Sequence, residues 1–502
     1  MSTAEPADLA LLLGGWQQST GPLAARLGDR LVSLVDDGLL PAGTRLPTER
    51  ALAETLRISR STATAGYRRA RDAGRIEGRQ GAGTWVRGPG TRPPDAAPGH
   101  APAARAAAGP ASAFDSLGRS AHGVIDLSLA ETRCDVHTRT LLAERTAADP
   151  EWVLQLVRGT GYHPQGLPAL RAVVAEHLTG CRIGTGPVGP DDVLVTTGAQ
   201  QAIALAANAL ATPGSTVLVE EATYPGALQA FRAAGLRALP VPGDERGPDP
   251  DALADLVARV RPALAYLVPV GNNPTGVVIP GERLDRLAEV FARSGVLLLE
   301  DRSAVLLADP ARVPAPLSAR LPAGSGCVTI GSTSKVAWAG LRIGWAAAPR
   351  HLLRELVAAR LTADLAGSLV SQRLGLEVVP ALPRLAAAVR ADVAEGQRAL
   401  GAALADLLPG WTGQEPQAGA WRWVRVPGAD ARTLARAAAD RGVLVTPGPA
   451  FSPVGALADR VRIAAVAPPH LLVEGVRRLR GAWDAAGGAP AVEDGGRDLL
   501  LI

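Results

Sequence analysis

Residues 331–345 read Gly331-Ser332-Thr333-Ser334-Lys335-Val336-Ala337-Trp338-Ala339-Gly340-Leu341-Arg342-Ile343-Gly344-Trp345. Lys335 is the only lysine among 52 Lys plus Arg residues, so the other 51 are arginine. Arginine serves surface charge and salt bridges as well as lysine or better, so the one retained lysine points to a task that a guanidinium cannot perform. That task is amine chemistry. A lysine nitrogen can lose its proton and condense with an aldehyde, whereas a guanidinium stays charged.

The surroundings of this segment are consistent with such a site. Short apolar runs at Val193 to Thr197, Thr216 to Glu220, Leu264 to Val270, Val296 to Asp301 and Cys327 to Ile330 alternate with helical patterns. Alternation of this kind predicts a mainly parallel sheet covered on both faces, with ligands at the carboxyl ends of its strands. The unusual residues fall there. Thr197-Gly198-Ala199-Gln200 leaves a strand and opens a helix, a place where free N–H groups can hold a phosphate. Arg342 offers a bidentate phosphate partner, and Ser332 and Ser334 offer hydroxyls. Asp301 ends a strand, where a carboxylate can pair with a protonated pyridine nitrogen. Asn273 can donate to a phenolic oxygen, and Tyr224 can stack on a ring face.

Composition excludes several classes. Cys134, Cys181 and Cys327 are isolated and odd in number, which fits a reducing cytoplasm and argues against a disulfide framework or a metal site. Apolar runs are broken well short of the roughly 18 residues of a membrane span, and the N-terminus shows no signal-peptide pattern. The stretch 89–120 is dominated by Pro, Ala, Gly and Arg and reads as a linker. It divides a tail at 1–21 and a small unit at 22–88 from a large unit at 121–485, followed by a C-terminal tail at 486–502.

The small unit has its own logic. Leu23, Leu27, Leu31, Leu34 and Val35 lie at helical spacing in a run that ends by Pro41. Thr48 and Ser59 are placed to cap two further helices, and the segments around 75–78 and 81–86 suit a two-stranded wing. Between Leu23 and Arg87 there are twelve Arg against seven Asp plus Glu, a surplus of 12 − 7 = +5, as a phosphate-facing surface requires. Arg60 and Thr62 fall in the first turn of the third helix, where base edges are read, and Arg50 where a backbone phosphate is met.

This unit resembles the GntR-type winged helix-turn-helix through Gly43-Thr44-Arg45-Leu46-Pro47-Thr48-Glu49-Arg50-Ala51-Leu52-Ala53, Ile58-Ser59-Arg60-Ser61-Thr62 and Arg79-Gln80-Gly81-Ala82-Gly83-Thr84. The resemblance implies that Arg50, Arg60 and Thr62 contact double-stranded operator DNA and that the wing tip, Gly81 to Gly83, enters the minor groove. The large unit resembles the fold-type-I aminotransferases, an α/β fold that binds pyridoxal 5'-phosphate. Its most specific segment is 331–345, and it also matches at Gly161-Tyr162-His163-Pro164-Gln165-Gly166-Leu167-Pro168, at Pro447-Gly448-Pro449-Ala450-Phe451 and at Val461-Arg462-Ile463. That likeness implies that Lys335 carries the cofactor, that Arg462 binds a substrate α-carboxylate, and that Tyr162 reaches the phosphate in a partner subunit, hence a homodimer. Head, linker and body together resemble the MocR family of transcription regulators.

One departure stands out. Many relatives carry a tyrosine two or three residues after the strand-end Asp, and this chain has Arg302-Ser303-Ala304. Without that phenol the expectation is slow or absent turnover. The leading functional expectation is therefore a cytoplasmic DNA-binding regulator that senses a small amino-group effector. The alternative is a metabolic aminotransferase with an accessory DNA-binding head.

Overall fold

The computed structural model describes residues 5–14, 16–18, 22–36, 40, 42–79, 83–87, 123–130, 136–148, 151–152, 156–157, 159–178, 182–183, 186–322 and 325–486. The expected linker at 89–120 and all but Ala486 of the expected C-terminal tail lie outside the described residues, as does Gly81.

The head contains, in chain order, α1 (Pro6–Leu13), α2 (Leu23–Asp36), β1 (Arg45–Leu46), α3 (Glu49–Leu56), α4 (Arg60–Asp72), β2 (Ile76–Arg79) and β3 (Gly83–Val86). Leu27, Leu31 and Leu34 form one buried stripe along α2, the spacing expected of an amphipathic helix against a core. Thr48 caps α3 by accepting the Ala51 N–H at 3.2 Å, and Ser59 caps α4 by accepting the Thr62 N–H at 3.1 Å, so both sequence-predicted caps are formed. Between the two helices Arg57 turns the chain in the left-handed region at φ 52°. The antiparallel pair β2 and β3 makes the wing, and β1 pairs with the outer side of β3. The segment at 1–21 is more than the bare tail expected. Leu9 and Leu13 of α1, with Trp16, are buried in the same core as Leu27 and Leu31.

Two glycines allow α2 and α4 to touch. A Cβ on Gly66 would lie 2.8 Å from Leu27, and one on Gly28 would lie 2.9 Å from the Gly66 carbonyl. At these distances the helices must move apart before any side chain fits.

The body is built on a seven-stranded sheet. Its strands are β4 (Val193–Thr196), β5 (Thr216–Glu220), β6 (Arg237–Val241), β7 (Leu264–Leu267), β8 (Leu297–Asp301), β9 (Cys327–Ser332) and β10 (Gly344–Ala347), in the spatial order β4-β10-β9-β8-β7-β5-β6. Only β10 runs against the others, pairing antiparallel with both β9 and β4. This is the mainly parallel sheet that the alternating pattern predicts. Helices α5 (Pro168–His177), α6 (Ala199–Ala209) and α7 (Pro225–Ala233) pack on it, and α8 (Leu369–Leu407) runs on into a smaller sheet of β11 (Trp421–Arg425), β12 (Thr446–Pro447) and β13 (Arg460–Ala464). α8 joins the two parts of the body: Val378, Leu382 and Leu385 bury against the large sheet, while Leu400 and Leu404 bury against the small one. Among the described residues no helix is long and apolar enough to cross a membrane.

Gly66→Val tests the helix contact. Overpacking there should cost the head about 1–3 kcal/mol. Calorimetry on the full chain should show the transition assigned to the head at lower temperature with the body transition unmoved.

Candidate functional site

A cavity of about 520 Å³ opens at the carboxyl ends of β4, β7, β8 and β9, where a doubly covered sheet of this kind leaves its ligand crevice. Its wall brings together Lys335, Gly198, Ala199, Gln200, Tyr224, Asn273, Asp301, Ser332, Ser334 and Arg342. These ten residues span nearly 150 positions of sequence, from Gly198 to Arg342.

One end of the cavity is rich in donors. Gly198, at φ 92°, is the N-cap of α6, so the first amides of that helix point outward with the positive end of the helix dipole. Arg342 closes over this turn, donating to the carbonyls of Thr197 and Ala339. A Cβ at Gly198 would lie 2.9 Å from the Arg342 guanidinium, which is why glycine is needed there. Ser332 Oγ and Ser334 Oγ lie 3.0 Å apart on the same side, and the Ser334 N–H donates to Ser332 Oγ at 3.1 Å. Helix amides, two hydroxyls and a guanidinium form a cradle for a phosphate dianion.

The other end holds a buried carboxylate. Asp301 is 2 % exposed. Its Oδ1 accepts the Ser303 N–H at 2.8 Å and its Oδ2 accepts the Tyr266 hydroxyl at 2.7 Å. Burial and then the Asp301 charge hold the Tyr266 phenol well above its ordinary range, so it stays a donor. Between the two ends lies Lys335, whose Nζ donates to the Ala130 carbonyl at 3.2 Å and sits 6.0 Å from the centre of the Trp421 ring. A phosphate cradle, an amine and a deep carboxylate in one cavity, with Tyr224 in its wall, fit pyridoxal 5'-phosphate end to end.

Other expected residues stand outside this wall. Arg462 is buried beside it and meets it through Asn273, donating from Nη1 to Asn273 Oδ1 at 3.0 Å and from Nη2 to the Ser128 carbonyl and, at 3.3 Å, to Thr446 Oγ1. With its oxygen engaged by Arg462, Asn273 is left its amide nitrogen as donor toward the cavity. Tyr162 is 62 % exposed, away from the cavity of its own chain. In the head, Arg50, Arg60 and Gly83 are exposed, and Thr62 is half-buried in the first turn of α4. Among the described residues no group of His, Cys, Asp and Glu could hold a metal ion.

Sequence reasoning missed Tyr266, Trp421 and Glu220. Tyr266 interrupts the aliphatic run Leu264-Ala265-Tyr266-Leu267, and a phenol in a buried strand demands a partner, a signal that was available. Glu220 ends β5 fully buried and accepts the Val268 N–H at 3.1 Å. Burial pushes its carboxyl up to about 8. Donation from Val268, Asn272 and Thr223 pulls it the other way, and the neighbouring Asp301 adds to the rise.

The sign of the resulting pH dependence is fixed. A raised carboxyl keeps its proton in the native state while the unfolded chain releases it, so stability falls as pH rises from about 4.5 to about 8. Glu220→Gln keeps the shape and removes the proton. Denaturant unfolding at pH 5 and pH 8 should show a smaller loss in the Gln variant than in the wild type, and equal losses would refute the buried proton.

Comparison with known proteins agrees with this geometry. Residues 123–479 match the aminotransferase class I and II family, and residues 23–86 match the gntR family of bacterial regulatory proteins. The 2-aminoadipate transaminase of Thermus thermophilus is 35 % identical over 325 residues, covering 63 % of this chain and 80 % of that protein. "Probable rhizopine catabolism regulatory protein MocR" of Rhizobium meliloti is 29 % identical, covering 66 % of each chain. The crystal structure of LysN, the α-aminoadipate aminotransferase of Thermus thermophilus, complexed with N-(5'-phosphopyridoxyl)-L-leucine, superposes with a TM-score of 0.65 at 32 % identity, covering 73 % of this chain and 93 % of that one. The chain therefore belongs to the aminotransferase class I and II family and carries a gntR-family DNA-binding head, the arrangement of the MocR regulators.

Proposed function

We propose that this protein is a cytoplasmic transcription regulator whose body holds pyridoxal 5'-phosphate at Lys335 and senses a small primary amine, working as a homodimer on operator DNA. The observation that carries the reading is the coexistence in one chain of a fully capped, basic helix-turn-helix and a cavity that keeps the sole lysine. A metabolic enzyme has no use for the first, and a plain repressor has none for the second.

When bound, the cofactor supplies an aldehyde carbon that reacts reversibly with primary amines and a ring that draws electrons from them. The chain's own residues do the rest. The amides of α6, with Arg342, Ser332 and Ser334, hold the phosphate end, and Asp301, steadied by Tyr266 and the Ser303 N–H, holds the ring nitrogen. Lys335 Nζ is the amine with which an effector amine competes. Arg462, buried and already engaged with Asn273, orients an effector carboxylate at the rim. Ser303 and Ala304, where a tyrosine is expected, leave no phenol for the cofactor oxygen on that side, which supports sensing over turnover. Tyr162, exposed on its own chain, is available to a partner's cavity.

In the head, Arg60 and Thr62 open the recognition helix α4, and Arg50 lies one residue into α3. All three are placed by caps at helix N-termini, where side chains reach base edges and phosphates. The rival reading, a transaminase with an accessory head, draws on the same lysine, Asp301 and Arg462 and on the likeness to the 2-aminoadipate transaminase.

Two measurements test the assignment. Lys335→Ala should lose the visible absorbance of the purified protein, and an unchanged spectrum would remove Lys335 from its role. Arg60→Ala should cost about 1–3 kcal/mol of DNA affinity with that absorbance intact. If operator binding survives Arg60→Ala combined with Arg50→Ala, the head is not used in this way. A paired experiment then separates regulator from enzyme. A cognate amine should change DNA affinity by about 5- to 150-fold, with transamination slow or absent. Turnover above about one per second, with DNA binding indifferent to the amine, favours the enzyme.

A further inference from the structure

A second cavity, of about 330 Å³, lies behind the cofactor cavity, between the ends of β8 and β9 and the helices α5 and α8. Ser303 and Ser332 line both. Its charged groups are of one sign: Arg302 and Arg390 line it, and no carboxylate does among the described residues.

Neither guanidinium has all of its N–H groups engaged. Arg302 donates one N–H to Glu300 at 3.4 Å in a buried ion pair, and that carboxylate also accepts the Leu317 N–H at 2.9 Å and the Ser318 N–H at 3.1 Å, so the rest of the Arg302 fork is left for a ligand. Arg302 keeps only 13 % of its side chain exposed, so little water screens its charge. Arg390 donates to the Leu306 carbonyl at 3.0 Å, a dipole and not an anion.

Trp345 also belongs to the wall. Trp345 is 2 % exposed, and its indole Nε1 has no hydrogen-bond partner. A buried N–H without a partner is unfavourable, and a bound acceptor would offset that cost. The Trp345 indole lies against Gly331, where a Cβ would come within 2.4 Å of Nε1, so only glycine leaves room for the ring there. His177, edge-on to Trp345 with ring centres 5.4 Å apart, is held below the usual imidazole range by burial and by the charge of Arg302.

We propose that this cavity is a second ligand site, for a small oxyanion, held by Arg302 and Arg390 with the Trp345 indole N–H as a third donor. Guanidinium groups match carboxylate and phosphate oxygens in pairs, and the indole N–H takes one more oxygen. The ligand is a small carboxylate or inorganic phosphate. The site stands whether the protein is a regulator or an enzyme, since none of its three donors lines the cofactor cavity. Because Ser303 and Ser332 are shared walls, the charge of the anion is felt on the cofactor side.

The test is calorimetric titration of the full-length, cofactor-loaded protein with malonate in one arm and inorganic phosphate in the other, at fixed ionic strength. Arg462→Gln serves as background, since it removes the rival carboxylate site at the cofactor cavity. Binding of one arm's anion should persist in that background and weaken about tenfold or more on adding Arg390→Met, the loss expected for a charge-assisted contact. Trp345→Phe, which removes the N–H together with part of the indole ring, should weaken it by a smaller factor with the cofactor absorbance retained. Loss of the site in either variant supports the proposal, and the arm that binds identifies the anion. Binding of neither anion in the Arg462→Gln background, or unchanged titration in both variants, overturns it. If Arg390→Met does not fold, unchanged titration in Trp345→Phe alone overturns it.

Discussion

The register of one strand governs the candidate site. β10 is wedged antiparallel between β9 and β4, so that Ser332 pairs with Gly344 and Gly344 pairs with Thr196. The chain therefore leaves β9 at Ser332, makes the loop that carries Lys335 and Arg342, and returns at Gly344 beside the point where β4 gives way to α6. The approach is tight: a Cβ on Gly344 would lie 2.6 Å from Gly198 Cα. A slip of one residue would turn every side chain of β10 to the other face and carry Arg342 away from the helix amides. The phosphate cradle and the amine are thus placed by a single pairing rather than by two separate loops.

The electrostatics of the deep end follow from burial without water. Glu220, Asp301 and Glu300 all sit at strand ends with little or no exposure. Buried carboxyls must be neutral or heavily hydrogen-bonded, and this body uses both solutions. Glu300 accepts two backbone N–H groups and faces Arg302, whereas Glu220 holds a proton near neutrality. Asp301 accepts one backbone N–H and one phenol. The phenol comes from Tyr266 on the neighbouring strand and is spent on the Asp301 carboxylate, a different task from holding a cofactor oxygen. The vacated positions, Ser303 and Ala304, become wall.

What the sequence disclosed and what it withheld divide along physical lines. Caps at Thr48 and Ser59, the wing and the central strands are local signals, carried by residue types whose backbone preferences leave few options. The wall residues around Lys335 were legible because each falls at the end of a strand, and strand ends in such sheets converge. Trp421 and Arg390 could not be found this way. They come from the far side of the chain on β11 and α8, and only the packing of α8 against both sheets brings them near Lys335 and Arg302. The α1 helix was missed for a different reason: its eight residues are apolar nearly all round and so show no amphipathic pattern, and Leu9, Leu13 and Trp16 declare their role only against the stripe of α2.

The arginine bias itself bears on how such a sensor can work. An aldehyde reacts with any accessible primary amine, so a lysine-rich surface would compete with the internal site and with the effector for the same carbon. In this chain Lys335 is the one side-chain amine, and the 51 arginines carry guanidinium groups too basic to be nucleophiles at neutral pH. On the proposed reading, capture of the cofactor by a side-chain amine is thereby confined to Lys335. On the proposed reading the exchange is reduced to two amines, Lys335 and the effector. A ligand shifts a conformational equilibrium only by its differential affinity for the two states. Confining the exchange to one nitrogen, hydrogen-bonded to Ala130 and facing Trp421, ties that difference to contacts made inside the cavity. Those contacts run through β9 and β10 to α6 and through Trp421 to the small sheet, so displacement at one atom bears on both parts of the body at once.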